Sequence, residues 1–144
     1  GRIKDIIITA GGKNVSPIPL EEEIAKCPIV EHCVVVGDQR PFIGALVTLD
    51  PESLAIWLPA HGLSTETPVD RLATNAAVRE EIQQYVDKAN ATVSRAESVR
   101  KFIILPEEFT QENGLMTASM KVIRPKVIKR YSALLNTQMY TKRK

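Results

Sequence analysis

Short apolar runs bounded by turn residues alternate along the chain with stretches of helical periodicity. The β-branched run Asp5–Thr9 predicts a strand that ends at Ala10-Gly11-Gly12, with a second short strand returning at residues 13–15. Two stronger runs, VEHCVVVGD and PFIGALVTLD, predict strands joined as an antiparallel hairpin. The run KFIILP predicts a third core strand. These short strands indicate a small sheet.

Proline, glutamate and apolar spacing predict the first helices. The stretch PLEEEIAKCP predicts a helix that starts near Pro19, carries three glutamates in its first turn and stops before Pro28. A second helix is predicted from Pro51 to His61. The segment 63–75 is polar and rich in turn residues, and a short helix is predicted within it at residues 69–73.

Apolar residues three and four positions apart predict two longer helices. Asn75 is predicted to cap the longest, with a buried stripe of Val78, Ile82, Tyr85 or Val86, Ala89, Val93 and Ala96. The last runs from about Pro125 to Tyr140, with the inward residues Ile128, Tyr131, Leu134 or Leu135, and Met139. The predicted fold class is therefore α+β, a small and mainly antiparallel sheet with a short N-terminal hairpin, covered by about five helices.

The composition is that of an ordinary globular domain. The 144 residues are 44% apolar and 25% charged, which fits one domain with a real core. No segment approaches the roughly 20 apolar residues of a membrane helix, and Gly1–Lys13 lacks the pattern of a signal peptide. Two cysteines do not make a disulfide framework, so a reducing cytoplasmic location is expected.

Positive charge is concentrated near the C-terminus. The net charge is only +2, yet residues 121–144 hold eight Lys or Arg and no Asp or Glu. This asymmetry suggests that the segment faces an anion, while the alternative is a solvated helix face with a Lys-Arg-Lys tail. Aromatic residues make up only 5%, and no helix-turn-helix or zinc-finger pattern appears, so nucleic acid is not the expected partner.

Several familiar chemical motifs are absent or incomplete. Neither the P-loop pattern nor the dinucleotide fingerprint is complete, because Gly114…Lys121 and Ala10-Gly11-Gly12-Lys13 each lack a required glycine. Cys27, His32 and Cys33 are too few and too unevenly spaced for a metal site, so the cysteines are interpreted as buried apolar residues. Trp57 and His61 are interpreted as packing and capping residues, and no metal-binding residue is predicted.

The two ends of the chain carry the remaining candidates. At the start, GRIKDIIITAGGKNVSP places Arg2 and Lys4 before a strand and then a Gly-Gly turn, where missing Cβ atoms allow close approach of a ligand. Near the other end, GLMTASMKVIR places Lys121 after a loop of small and hydroxyl-bearing residues. Taken alone, each of these is more simply interpreted as an ordinary solvated terminus or loop.

Together, the two ends resemble a known family. GRIKDIIITAGGKNVSPIPLEEEI resembles the segment that opens the small C-terminal domain of AMP-forming acyl-CoA synthetases, with the pattern V-x-P-x-x-[IL]-E at its end. GLMTASMKVIR is similar to the family's closing lysine motif. TAGGKNVSP, VVVGDQRPFIGALVTLD and SRAESVRKFIILPEEFT more specifically resemble bacterial long-chain fatty acid–CoA ligases. The resemblance covers essentially the whole chain.

The resemblance implies a two-step ligase reaction that uses ATP and coenzyme A. Fatty acid and ATP form acyl-AMP, and coenzyme A then forms acyl-CoA, while the small domain rotates on a large N-terminal adenylating domain. It further implies that Lys121 is the adenylation lysine, Arg2 contacts the nucleotide and Lys4 is the hinge. Gly11 and Gly12 would line the coenzyme A tunnel. Mg²⁺ would be bound mainly by the large domain, and peripheral membrane association of the full-length enzyme is compatible with this picture.

Departures from the family pattern leave points open. The loop before Lys121 reads Thr-Ala-Ser-Met where many members have glycine or proline, and any of Glu21, Glu22 and Glu23 could match the family glutamate. No ATP loop or acyl tunnel is found in residues 1–144, so the chain is expected to be a mobile C-terminal lid domain, inactive alone, whose docking surface surrounds Gly11-Gly12 and Lys121. The alternative is a free-standing α+β module that uses its basic helix on an acidic partner or nucleic acid.

Overall fold

Residues 5–141 are described by the structure, a computed structural model, and the chain divides into two units, Gly1–Glu107 and Glu108–Lys144. The elements of the first unit are β1 (Ile7–Ile8), β2 (Asn14–Val15), α1 (Pro17–Ile24), β3 (Val30–Val36), β4 (Ile43–Leu49), α2 (Pro51–Ala60), α3 (Val69–Leu72), α4 (Ala76–Asn90), a short 3₁₀ helix (Arg95–Glu97) and β5 (Val99–Ile104). Those of the second unit are α5 (Arg124–Arg130), α6 (Ser132–Leu134) and a π-helical turn (Leu135–Met139). The predicted α+β class is confirmed.

The main sheet has three strands in the order β3-β4-β5. β3 and β4 form the predicted antiparallel hairpin, with Val35 opposite Ala45, whereas β5 pairs parallel to β4. The parallel pairing is possible because α2, α3 and α4 lie between the two strands and form a crossover long enough to return the chain in the same direction. All seven residues of β4 are buried, as expected for a central strand.

Among the helices of the first unit, α4 contributes the most buried residues to the core. Its buried residues are Val78, Ile82, Val86 and Ala89. Asn75 caps it as predicted, since its Oδ1 accepts hydrogen bonds from the main-chain N–H groups of Ala77 (2.9 Å) and Val78 (3.1 Å).

The predicted stripe of α4 is too long at its C-terminal end. The helix ends at Asn90, and Val93 is only half-buried while Ala96 is exposed. Asn90 instead pairs with β5: its Oδ1 accepts from Val99 N (2.8 Å), and its Nδ2 donates to Val99 O (3.0 Å). The chain leaves the helix there because this side chain satisfies the first main-chain groups of the strand.

Helix α1 is fastened to the sheet through one of its three glutamates. Glu21 Oε2 accepts a 2.7 Å hydrogen bond from the main-chain N–H of Val35 on the edge strand β3. Glu22 is exposed, and Glu23 forms an exposed ion pair with Lys26 at 3.0 Å. Glu21 therefore has a structural role that the other two glutamates lack.

The N-terminal hairpin is confirmed, and the loop between β3 and β4 supports it. Ile7 pairs with Val15 in an antiparallel register. Ala10 N donates to Arg40 O (2.9 Å), and Gln39 N donates to Ile8 O (2.8 Å). These bonds fix the base of the Gly-Gly turn to the end of the main sheet.

The second unit begins with a loop organised by Asn113. Its Oδ1 accepts from Thr110 N (3.1 Å) and Leu115 N (3.2 Å), and its Nδ2 donates to Glu108 O (2.8 Å). The chain then forms a small hairpin through an antiparallel bridge between Met116 and Val122. The amide of one loop side chain therefore organises the segment that leads into the hairpin.

The turn of this hairpin runs from Thr117 to Lys121. Met120 N donates to Thr117 O (2.9 Å), and Thr117 N donates to Lys121 O (2.8 Å). Met120 has a φ of 65°, in the left-handed region that glycine or asparagine usually occupies in such three-residue turns. The sequence left the geometry of this loop undetermined. The structure shows a tight turn in which Met120 occupies the left-handed position.

The predicted C-terminal helix is interrupted, and its inward face is partly different. α5 ends at Arg130, and Tyr131 departs from helical geometry with φ −105° and ψ 22°. The buried residues of this segment are Val127, Tyr131, Leu135 and Met139, each four positions after the one before, together with Tyr140. Val127 replaces the predicted Ile128, which is half-buried. A strict four-residue spacing exceeds the 3.6-residue α-helical turn, and the break and π-helical turn keep such a stripe on one face.

We expect Glu21→Ala to lower the free energy of unfolding by about 1.5–3 kcal/mol, because it removes a charge-assisted acceptor from a buried main-chain N–H. Urea denaturation measures this change. The matched control is Glu22→Ala, an exposed glutamate on the same helix, which should change stability by less than about 0.5 kcal/mol. Equal effects of the two substitutions would show that the Glu21 bond adds nothing.

We expect Met120→Gly to raise the free energy of unfolding by roughly 0.5–1 kcal/mol. A left-handed conformation costs a non-glycine residue roughly 1–2 kcal/mol, and the greater freedom of glycine in the unfolded chain offsets part of the gain. The side chain of Met120 is 63% exposed, so little burial is lost. The control is Ala118→Gly in the same turn, where φ is not positive and stability should fall. A loss of stability with Met120→Gly would show that the left-handed conformation of Met120 is not strained.

Candidate functional site

Lys121 stands at the end of a turn whose own hydroxyl groups hold its shape. Thr117 Oγ1 accepts a hydrogen bond from the main-chain N–H of Lys121 at 3.1 Å. The same oxygen lies 3.0 Å from Ser119 Oγ, within hydrogen-bond distance. The side chain of Lys121 is exposed, and within residues 5–141 its ammonium group makes no hydrogen bond or ion pair. The backbone is therefore fixed while the cation remains available to a ligand.

The charged residues that follow Lys121 in sequence are all basic. Lys126 and Lys129 on α5 are exposed, and no acidic residue follows Lys121 anywhere in the chain. Like charges along one segment add to a positive potential, which attracts anions and raises their local concentration. This turn can therefore offer a cation to a phosphate or carboxylate.

Gly11 and Gly12 lie at the exposed tip of the N-terminal hairpin. Gly12 has a φ of +88°, and a Cβ atom built on either glycine would meet nothing within 4 Å. The main chain of this turn is thus open to close approach, as the sequence suggests. The turn belongs to the first unit and Lys121 to the second. A docking surface that includes both stays a prediction.

Two predicted site residues fall outside the described part of the chain. The structure describes residues 5–141, so Arg2 as a nucleotide contact and Lys4 as a hinge both stay predictions.

Glu21 is a residue whose role the sequence did not single out. The signal was present, since Val15, Pro17, Leu20 and Glu21 fit the spacing V-x-P-x-x-[IL]-E. The structure distinguishes Glu21 from its neighbours by its bond to β3. This glutamate positions the helix that follows the Gly-Gly turn, so its role is structural support for that turn.

Arg79 is another polar residue with a supporting role. Its guanidinium donates to Ala73 O (3.2 Å) and Phe102 O (3.1 Å) and lies 4.2 Å from the centroid of the Phe102 ring. Burial lowers the pKa of this guanidinium from its ordinary value. Arg79 thus ties α4 to β5 and is not presented to a ligand.

Cys27 and His61 have packing roles. Cys27 is buried, its thiol lies 3.8 Å from Glu81 O, and burial is the main cause that raises its pKa to about 11. The thiol is therefore neutral and unreactive near pH 7. His61 stacks on Trp57 with ring centroids 3.8 Å apart, and its Nδ1 lies 2.8 Å from Trp57 O at the end of α2.

Neither a metal site nor a membrane span is found in the part of the chain that the structure covers. No three His, Cys, Asp or Glu residues among positions 5–141 are grouped so that they could hold a metal ion. No helix in the same range is long and apolar enough to cross a bilayer. The exposed candidates are therefore the two turns.

Comparison with known proteins gives one consistent family. A family model described as AMP-binding enzyme C-terminal domain matches residues 4–144. The chain is 46% identical over 133 residues to the long-chain-fatty-acid–CoA ligase FadD15 of Mycobacterium tuberculosis, covering 92% of this chain and 22% of that protein. It is 33% identical over 153 residues to the long-chain-fatty-acid–CoA ligase ACSBG2 of Gallus gallus, covering 94% and 20%. The chain spans about a fifth of the length of these relatives.

Solved structures agree with this result. The adenylation domain of a carboxylic acid reductase from Segniliparus rugosus, in complex with AMP and a co-purified carboxylic acid, is similar with a TM-score of 0.66 and 29% identity, covering 93% of this chain and 19% of that one. A fatty acyl CoA synthetase of Mycobacterium tuberculosis shares the fold, with a TM-score of 0.55 and 22% identity, covering 92% and 21%. The chain belongs to the family of AMP-binding enzyme C-terminal domains.

Proposed function

We propose that residues 1–144 form the mobile C-terminal domain of a long-chain fatty acid–CoA ligase. The domain would work against a large N-terminal adenylating domain that carries the ATP pocket and the acyl tunnel. The ligases FadD15 and ACSBG2, similar over nearly the whole chain, support this substrate class. The chain alone would be inactive because it has neither of those sites.

The presentation of Lys121 is the observation that carries the proposal. Its turn is held by main-chain and hydroxyl hydrogen bonds, its side chain is exposed, and its ammonium group has no partner among the described residues. A lysine on an exposed turn that hydrogen bonds hold in shape is suited to a site that is completed when another domain receives it.

The first half-reaction needs such a cation. An oxygen of the fatty acid carboxylate bonds to the α-phosphorus of ATP, the bond to the bridging oxygen breaks, and pyrophosphate leaves with that electron pair. Negative charge gathers around phosphorus as two anions meet. Lys121 would lie between carboxylate and phosphate oxygens and lower the barrier electrostatically. Lysine suits this role because its compact charge on a flexible stem can be offered and withdrawn.

The second half-reaction would use the other turn. The sulfur of coenzyme A bonds to the acyl carbon, the bond from that carbon to the AMP oxygen breaks, and the thiol proton passes to solvent. The exposed backbone of Gly11 and Gly12 would line the path of the thiol arm, since no Cβ narrows it. ATP and coenzyme A are thus the expected co-substrates. Mg²⁺ would be held mainly by the large domain, as the family resemblance implies.

Two further assignments belong to the same proposal. Arg2 would contact the nucleotide and Lys4 would act as the hinge between the two domain positions. The rival function, a free-standing module that binds an acidic partner or nucleic acid, receives no support from the family match or from the relatives.

We expect Lys121→Ala in the full-length protein to lower ATP–pyrophosphate exchange, driven by a long-chain fatty acid, by about 10²–10³-fold. The loss should appear in the rate at saturating ATP, because the lysine acts on charge that develops during the reaction. Unfolding curves of the two proteins should coincide, since an exposed and unpaired side chain adds little stability.

The control is Lys129→Ala, an exposed lysine on α5, which removes the same charge and should leave exchange nearly unchanged. Normal exchange in Lys121→Ala would show that a different residue activates the carboxylate. Absence of exchange in the unmodified protein would reject the ligase function itself.

A further inference from the structure

The two exposed turns share a sequence pattern, Thr-Ala-x-x-Lys. The first is Thr9-Ala10-Gly11-Gly12-Lys13, and the second is Thr117-Ala118-Ser119-Met120-Lys121. One lies in each unit of the chain. Each ends in an exposed lysine.

The shared pattern corresponds to a shared set of main-chain hydrogen bonds. In the first turn, Thr9 N donates to Lys13 O (3.0 Å) and Gly12 N donates to Thr9 O (2.9 Å). In the second, the equivalent distances are 2.8 Å and 2.9 Å. The fourth residue is left-handed in both, with φ of 88° and 65°. Both are three-residue hairpin turns of the same type.

The threonine has the same task in each turn. Thr9 Oγ1 accepts from Lys13 N at 3.1 Å, as Thr117 Oγ1 accepts from Lys121 N at 3.1 Å. This bond fixes the main chain of the lysine relative to the turn. Lys13 therefore leaves its turn from the same backbone position as Lys121 does.

The first turn is also held from outside. Ala10 N donates to Arg40 O, and Ile8 N donates to Asp38 Oδ1 at 3.1 Å. Such anchoring preorganises a contact, so less ordering is needed when a ligand binds. With two glycines and open space around them, the turn can lie directly against a ligand.

Among the described residues, the ammonium group of Lys13 is unpaired. Across residues 5–141 its ammonium makes no hydrogen bond and no ion pair. A nearby carboxylate, Glu97, is held by Ser94, whose Oγ donates at 2.6 Å and whose N donates at 3.0 Å. The pKa of Glu97 lies below its ordinary value mainly because of these bonds, with only a minor contribution from Lys13.

We propose that Lys13 binds a phosphate group of coenzyme A during the thioester-forming half-reaction. The inference rests on the proposed function and extends it from the glycine backbone to a specific cation. The thiol substrate carries its phosphates on the nucleotide end of a long neutral arm. A lysine beside a turn that borders the arm can contact these phosphates as a point charge. Lys121 and Lys13 would then serve one half-reaction each.

The test measures acyl-CoA formation by the full-length protein from a preformed long-chain acyl-adenylate. Lys13→Gln should raise KM for coenzyme A about tenfold, the effect of losing one charged hydrogen bond. KM for pantetheine, which has no phosphate, should stay within about twofold, as should fatty acid-driven ATP–pyrophosphate exchange. Lys13→Arg keeps the charge and should restore most of the affinity.

Dephospho-coenzyme A locates the contact. If the effect of Lys13→Gln disappears with this substrate, Lys13 binds the 3′-phosphate, and if it persists, Lys13 binds the pyrophosphate. Either result supports the proposal.

The matched control is Glu97→Gln, which keeps the hydrogen bonds to Ser94 and removes only the negative charge near Lys13. It should leave KM for coenzyme A unchanged. Lys88→Gln, at an exposed lysine of α4, controls for the change in net charge.

Three results would overturn the proposal. These are an unchanged KM for coenzyme A in Lys13→Gln, an equal rise with pantetheine, or the same rise in Glu97→Gln. With normal pyrophosphate exchange, any of them rejects the role of Lys13 and leaves the ligase function standing. Loss of exchange in the unmodified protein rejects both.

Discussion

The burial of β4 is the constraint on which the first unit depends. With all seven residues of Ile43–Leu49 buried, every main-chain polar group must be paired within the protein, and β3 and β5 supply that pairing from the two sides. Its buried hydroxyl is satisfied too, because Thr48 Oγ1 accepts from His32 N at 3.1 Å. The loop that joins β3 to β4 is fixed by the same sheet. That loop in turn holds the N-terminal hairpin through two hydrogen bonds, from Ala10 N to Arg40 O and from Gln39 N to Ile8 O.

The residues of the two turns then decide which groups are exposed to a ligand. Glycine takes the left-handed position in the N-terminal turn without strain, and the backbone there stays open. In the turn before Lys121, methionine occupies that position, which is costly for a side chain with a Cβ. Such strain is often kept near functional sites, where surrounding bonds hold the geometry in place. Here the hydroxyl of Thr117 and the bridge between Met116 and Val122 do so.

The exposed lysines contribute little to stability, and this leaves them free for a ligand. The ion pair between Lys26 and Glu23 is exposed, and such surface pairs are worth about 0–1 kcal/mol. Polar groups that tie the elements together act instead through directed hydrogen bonds at buried or half-buried positions, as Glu21, Arg79 and Asn90 do. The chain thus separates its structural polar groups from its presented cations.

Local pattern was enough for most elements of the first unit. The β3–β4 hairpin, the Asn75 cap and the N-terminal hairpin follow from alternation, cap chemistry and turn residues within a few positions of one another. Local sequence pattern predicted the segment after Lys121 less reliably. Helical periodicity indicated Ile128, but a π-helical turn and a break at Tyr131 select Val127. Such breaks depend on packing over the whole segment, which a window of sequence does not contain.

The sequence by itself determined the family, the strand and helix order, and the two turns that hold the candidate residues. The tertiary structure decided that β5 runs parallel to β4, since pairing direction depends on how the crossover packs and not on the strand's own residues. It also decided which of three adjacent glutamates matters, because only Glu21 reaches Val35, a residue distant in sequence. The likeness of the Lys13 and Lys121 turns was written in the sequence as Thr-Ala-x-x-Lys. Only the structure showed that both segments form the same turn, because a five-residue pattern adopts one backbone conformation only where the flanking strands pair.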